Sequence, residues 1–296
     1  MSTQTAVPAD SYADARPAPR PLRRAATVAG LIGLLVALVS MVRNPAFQWD
    51  VVGRYLTADI VLDGLRTTLL LTAVALASGF ALGTLLAVMR LSGSRLLRSV
   101  SWGYTWLFRS VPILVQLLFW YNISLLYPRF TIGLPFGPAL VDMPTRGLIN
   151  GLAAAVIGLT LHEAAHAGEI VRAGLLSVDR AQTEAAQALG LSRTRTLWRI
   201  VLPQAMRAIV PPAANQAAAL LKGTSVVSVI AGQDLLFSVQ LIYNRNYLVI
   251  PLLLVATLWY LFFTTLLSGV QYLLERAFAR GDGRASRRLP PTGDDR

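Results

Sequence analysis

His162, Glu163, His166 and Glu169 lie within the apolar run 148–170, where ionisable side chains are otherwise absent. His162 and His166 are four residues apart. On a helix that spacing puts both imidazoles on one face, the arrangement of a zinc-binding pair with the intervening carboxylate as general base. They are the only 2 histidines and the chain has 0 cysteines, so a third protein ligand has to be a carboxylate such as Asp63 or Glu169. Disulfides and thiolate metal sites are excluded. The alternative to a metal is a pair packed between helices and bonded to backbone or hydroxyl groups. Ionisable groups at membrane depth mark function by default. Glu163 is therefore expected at a pathway, where a carboxylate can hold an ammonium or guanidinium group. His166, Glu169, Gln116, Asn215 and Lys222 complete the candidate pathway set. Two of these have a plainer reading as well: Glu169 with Arg172 as an anchor at the helix end, and Lys222 as a side chain that snorkels to the interface.

A second constellation is polar and basic. The stretch Gln182–Pro203, QTEAAQALGLSRTRTLWRIVLP, interrupts a chain of long apolar runs. Ala181–Leu189 holds strong helix formers and no breaker. Gly190 stands where a helix end favours positive φ. Ser192 is placed to cap a second short helix, which is expected over Arg193–Val201 and to end near Pro203. Ala181, Ala185 and Ala188 share a face of the first helix. An alanine face is too thin for a core but lets a helix sit deep in a groove of another protein. Glu184, at its edge, offers a charge to a partner's Arg or Lys.

These residues are set among elements of membrane composition. Of 296 residues, 54% are hydrophobic and 14% charged, against about 25% charged in soluble domains. Residues 1–22 read as a disordered tail. The apolar run 25–42 reads as a first membrane helix, with a signal peptide as its rival, and 23–63 forms that helix and an outer loop. Further runs follow at Thr67–Met89, Val111–Leu126, 148–170, Met206–Val229 and Val249–Leu274, making about six crossings. Arg90–Arg109 reads as a basic loop, Tyr127–Asn150 as an extended outer loop, and Gly232–Tyr247 as a short outer helix. A core domain spans 64–275 and a basic tail 276–296. With the N-terminus inside, 20 of the 27 Arg and Lys fall on inner segments and 7 on outer ones. This bias puts both termini and the polar stretch in the cytoplasm. It also accounts for the net charge of +12 without nucleic acid. The chain has no G-x-x-x-x-G-K-[ST] phosphate loop, so it does not hydrolyse ATP by that route.

Glu184-Ala185-Ala186, then Gly190, Ile200 and Leu202-Pro203, resemble the cytoplasmic EAA loop of ATP-binding cassette importer permeases at every fixed position. Phe108–Pro112 with Gln116, Glu169–Gly174 with Ser177-Val178, Ala188–Ser192, Leu202–Ala205 with Arg207, and Pro212, Asn215, Lys222 and Thr224-Ser225 resemble the branch that carries polar amino acids and opines. The likeness runs over about 64–275. The resemblance implies an all-α polytopic protein of the bacterial inner membrane with a type I permease core and a coupling loop over 178–205. It implies a non-catalytic transport subunit, with no cofactor of its own, that moves a polar amino acid or related compound by alternating access. It also implies two separate ATPase subunits, a second permease that is a copy or a paralogue, an extracytoplasmic solute-binding protein, and membrane lipid around them. Two positions depart from the branch: His166 stands where Tyr is usual, and the outer loop is long. His162-Glu163-Ala164-Ala165-His166 and Leu62-Asp63-Gly64 are similar to elements of intramembrane zinc metalloproteases, but in the opposite order. That enzyme and an ATP-independent secondary carrier are the alternative functions.

Overall fold

A computed structural model describes residues 21–133 and 139–279. The expected tails therefore lie mostly outside the described residues. Of the first, Pro21 and Leu22 are already helical, with Pro21 opening α1, a position where proline's fixed φ suits a first turn.

The chain divides into two compact units, 1–48 and 49–296. The first contains α1 (Pro21–Arg43) and a 3-10 turn at Pro45–Phe47, capped by Asn44, whose Oδ1 accepts from the Ala46 amide at 2.9 Å. Leu31, Leu35 and Val36 of α1 are exposed, which for an apolar helix suits a lipid surround.

The second unit is built on α3 (Asp59–Leu91) and α6 (Gly151–Leu176). Both carry small residues at helical spacing where they meet. A Cβ added at Gly79 would lie 2.6 Å from Glu163 Cγ, and one at Gly83 would lie 2.7 Å from the Gly168 amide nitrogen. Small side chains let two backbones approach this closely, the usual basis of helix pairing in lipid. Around the pair stand α2 (Trp49–Leu56), α4 (Arg95–Ser110), α5 (Ile113–Tyr121), α9 (Leu202–Gly223), α10 (Leu235–Asn246) and α11 (Val249–Ala279), with the short α7 (Arg180–Ala188) and α8 (Arg193–Thr196) before α9. One apolar core joins Leu71, Leu117, Leu159, Leu220 and Ile230; a second joins Val61, Leu65, Leu235, Val239 and Leu252. Trp259 Nε1 ties α11 to the end of α2 through the Leu56 carbonyl at 3.0 Å.

Several elements differ from the sequence expectation. The basic loop expected at Arg90–Arg109 is mostly helix α4, fixed by Ser101 Oγ donating to the Leu86 carbonyl and Tyr104 Oη to the Leu161 carbonyl, both at 2.8 Å. Three arginines interspersed with serines and a threonine make it read as a loop by composition alone. Pro112 then separates α4 from α5. It disfavours helix at Val111, whose φ and ψ are −92° and 130°. The outer stretch holds a two-stranded antiparallel hairpin, β1 (Arg129–Gly133) with β2 (Ala139–Pro144), pairing Thr131 with Asp142. Arg129 clamps Asp142 through Nε and Nη2 at 2.8 and 2.7 Å. These bonds hold the Asp142 carboxyl below the usual carboxylate range. Among the described residues, α3 and α11 are long and apolar enough to cross a membrane, and the bent stretch from Arg193 through Asn246 can serve as a third crossing. Helix α6 is long enough, but carries too many ionisable groups to pass as apolar.

Candidate functional site

The polar stretch after α6 folds as two short helices at an angle set by one glycine. Asp179 caps α7, accepting from the Ala181 amide at 2.9 Å. Gly190 takes φ +74°, the left-handed conformation that glycine adopts without a Cβ clash. Ser192 Oγ accepts from the Arg195 amide at 3.4 Å and caps α8. The second helix does not end near Pro203. A widened π turn, Leu197–Val201, carries it into α9, with Pro203 in the first turn of that helix. Proline's missing N–H is harmless there, because first-turn amides lack intrahelical partners anyway. The loop is therefore continuous with a long helix.

Glu184, Ala185 and Ala188 are exposed along α7, while Ala186 is buried beneath them. Ile200 and Leu202 are partly covered and Pro203 is exposed. Two large side chains extend this surface beyond the alanine face. Leu189 is 82% exposed and Trp198 65% exposed. Neither stood out in sequence. The signal was available, since Leu189 follows directly on the alanine face and Trp198 is an aromatic in a short basic helix. The loop thus exposes Leu189 and Trp198 together with Glu184, Arg193, Arg195 and Arg199, the mix of large apolar and charged groups that protein interfaces use.

The second constellation lies in the interior. Glu163 is fully buried on α6 between α3 and α9. Its Oε2 accepts from Gln216 Nε2 of α9 at 3.0 Å, and its Oε1 has no partner among the described residues. The two histidines point elsewhere. His162 Nδ1 lies 3.2 Å from Gln116 Nε2, and that amide also donates to the carbonyls of Phe108 and Val111 at 2.9 and 2.7 Å. Gln116 thus ties off the backbone opened by Pro112, and its own Oε1 is buried without a partner among the described residues. The His162 and His166 rings are 4.9 Å apart.

The carboxylates named as a third zinc ligand are engaged elsewhere. Asp63 pairs with Arg66 at 2.8 Å, and Glu169 takes two bonds from Arg172 at 3.0 and 2.7 Å. Among the described residues no three His, Cys, Asp or Glu side chains converge on a metal position. Glu163, one residue from His162, is turned about 100° around the helix from it, into the α3 contact and away from the imidazoles. Asn215 and Lys222, seven apart on α9, share a face and are both exposed. The structure therefore brings together Gln116 and His162, and separately Glu163 and Gln216; Asn215 and Lys222 stand apart on an outer face.

Comparison with known proteins places this arrangement. Residues 79–280 match the model of the binding-protein-dependent transport system inner membrane component. The chain is 38% identical over 296 residues to the arginine transport system permease protein ArgU of Corynebacterium glutamicum, covering 96% of this chain and 90% of that protein. It is 33% identical over 220 residues to the probable glutamine ABC transporter permease protein GlnM of Bacillus subtilis, covering 74% and 93%. Among solved structures it resembles a chain of an amino acid ABC transporter crystallised with histidines, at a TM-score of 0.63 and 29% identity over 74% of this chain and 94% of that one. A chain of the MetNI methionine ABC transporter shares the fold at a TM-score of 0.55 and 20% identity. The matched region contains the exposed loop, the buried polar helix and the small-residue pairing of α3 with α6. The chain belongs to the binding-protein-dependent transport system inner membrane components, as a permease subunit of the polar amino-acid and opine branch of the ATP-binding cassette importers.

Proposed function

We propose that this chain pairs with a second permease, a copy or a paralogue, to form the pathway of an importer whose solute is a basic amino acid, arginine first. The relative matched along nearly its whole length is named an arginine permease, which supports that solute. The single observation that carries the coupling mechanism is the loop. Gly190 fixes two short helices that leave Glu184, Ala185 and Leu189 uncovered, and the second helix runs directly into α9. Two ATPase subunits grip this surface from the cytoplasm. Closure of the ATPase pair pushes on α7 and α8, and a continuous helix carries the push into the membrane. An extracytoplasmic binding protein delivers solute from the other side. Both termini are cytoplasmic, and 64–275 acts as the permease core.

Within the pathway set, Asn215 and Lys222 meet the solute or the second permease, because a polar face at membrane depth is disfavoured against lipid. Glu163 acts one layer behind, holding Gln216 beside Asn215. Gln116, His166 and Glu169 shape the inner end. Reconstitution with the partner ATPase and binding protein in liposomes tests this reading. Arginine uptake should require ATP on the ATPase side and be competed by lysine more strongly than by glutamate. Uptake driven by an ion gradient without ATP would establish a secondary carrier instead, and stronger competition by glutamate would overturn the solute.

A further inference from the structure

We propose that the cavity between α3, α4 and α6 binds the headgroup of an anionic phospholipid. The cavity is about 430 Å³, with Arg90 at one wall, Trp102, Trp106, Arg109 and Ser110 of α4 along another, and Glu169 behind them. Its charges do not cancel internally. Glu169 is already held by two bonds from Arg172. Arg90 makes one long bond, to the Arg98 carbonyl at 3.4 Å, and Arg109 makes no hydrogen bond or ion pair among the described residues. Two guanidinium groups therefore line a space that also holds the Ser110 hydroxyl, and its one carboxylate, Glu169, already carries an ion pair with Arg172.

The walls choose between anions. Trp102 and Trp106 stack one turn apart, ring centroids 6.2 Å and planes 12° from parallel, and they are 54% and 59% exposed. Leu96, Val100 and Leu107 of the same helix are exposed beside Arg95 and Arg98. The bonds from Ser101 and Tyr104 into α3 and α6 fix which side of α4 faces outward. A helix that presents Arg, Trp and Leu together on its free side suits the boundary between headgroups and acyl chains. A soluble phosphate would use the guanidinium groups and gain nothing from the indoles. A lipid uses both, with its phosphate on Arg90 and Arg109 and its chains along the tryptophans. Cytoplasmic basic clusters of this kind attract the anionic lipids of the inner leaflet. The site goes beyond the transport reading and uses only its assignment of this end of α3 to the cytoplasmic side.

The test is native mass spectrometry of the detergent-purified complex without solute or nucleotide, so that its outcome is independent of transport. The probes are dioctanoyl-phosphatidylglycerol, dioctanoyl-phosphatidylcholine and inorganic phosphate. Phosphatidylglycerol should bind about tenfold more tightly than phosphatidylcholine, and Arg90→Gln with Arg109→Gln should abolish that preference. Arg95→Gln with Arg98→Gln should leave it intact. Trp106→Ala should weaken the lipid and not phosphate. Equal binding of the two lipids, preference carried by Arg95 and Arg98, or displacement of the lipid by phosphate at similar concentration would each overturn the proposal. If the double variant fails to assemble, Arg109→Gln alone replaces it, since that side chain makes no hydrogen bond or ion pair among the described residues, and an unchanged preference would count against the site.

Discussion

Glu163 and Gln216, 53 residues apart in the chain, join α6 to α9 through one bond of 3.0 Å. A buried carboxylate with a single donor is held less firmly than its charge demands, which makes the pair sensitive to small changes. Glu163→Gln keeps the shape and replaces a charge-assisted bond by a neutral one, a loss of about 1 kcal/mol. If Glu163 positions Gln216 beside the solute, half-saturation by solute should rise about fivefold while assembly and basal ATPase activity stay intact. An unchanged solute response would remove Glu163 from the pathway set, and loss of assembly would make it a structural link only. The spacing of His162, Glu163 and His166 was legible from residue types, and so was their common helix. Which face met which neighbour was not. That is decided in part by Gly79, whose lack of a side chain leaves room for Glu163, and nothing local to residue 163 records it. Gln116 was singled out with Phe108–Pro112 by resemblance, but its work on the Phe108 and Val111 carbonyls depends on the break at Pro112.

At the scale of elements, the close contact of α3 with α6 positions Glu163. Gly83 meets the Gly168 backbone, and backbone cannot rotate away as a side chain can. Gly83→Val should therefore cost about 1–3 kcal/mol by overpacking and lower the thermal midpoint of the purified complex. Gly93→Ala, with nothing within 4 Å of the added Cβ, serves as control; equal midpoints for the two would contradict the packing. The break between the helices of the coupling loop was readable because Gly190 and Ser192 act locally as turn and cap, whereas the Asp179 cap came only with the structure. The π turn before Pro203 and the helical state of Arg95–Ser110 were not readable. The first is a compromise between two helices that must be continuous, and the second comes from bonds to α3 and α6 far along the chain. The hairpin at Arg129–Pro144 was likewise hidden. Its strands are short, and proline content suggested irregular chain where a bidentate Arg129–Asp142 pair in fact closes a ladder.

For the whole molecule, orientation and coupling carry the account. The absence of native cysteine makes topology directly measurable. Ser192→Cys should be shielded from an impermeant thiol reagent in intact cells, while Thr131→Cys should react; labelling of Ser192→Cys from outside would invert the map. Family membership and the charge bias were both visible in sequence because they depend on residues in order. The spans at α3 and α11 were visible as long apolar runs, and the run 148–170 that holds α6 was read as a span although its ionisable groups lower its apolarity. The central claim is that the loop over 178–205 is where the permease meets its ATPase. The most direct measurement is co-purification of the ATPase with membrane-inserted Glu184→Lys and Gly190→Pro variants, read as ATPase bound per permease. Glu184→Lys reverses the charge at the groove, and Gly190→Pro demands a negative φ where the chain holds +74°. Both variants should insert normally and lose most of the bound ATPase together with solute uptake. Full ATPase association and full uptake in both would place the dock elsewhere on the protein.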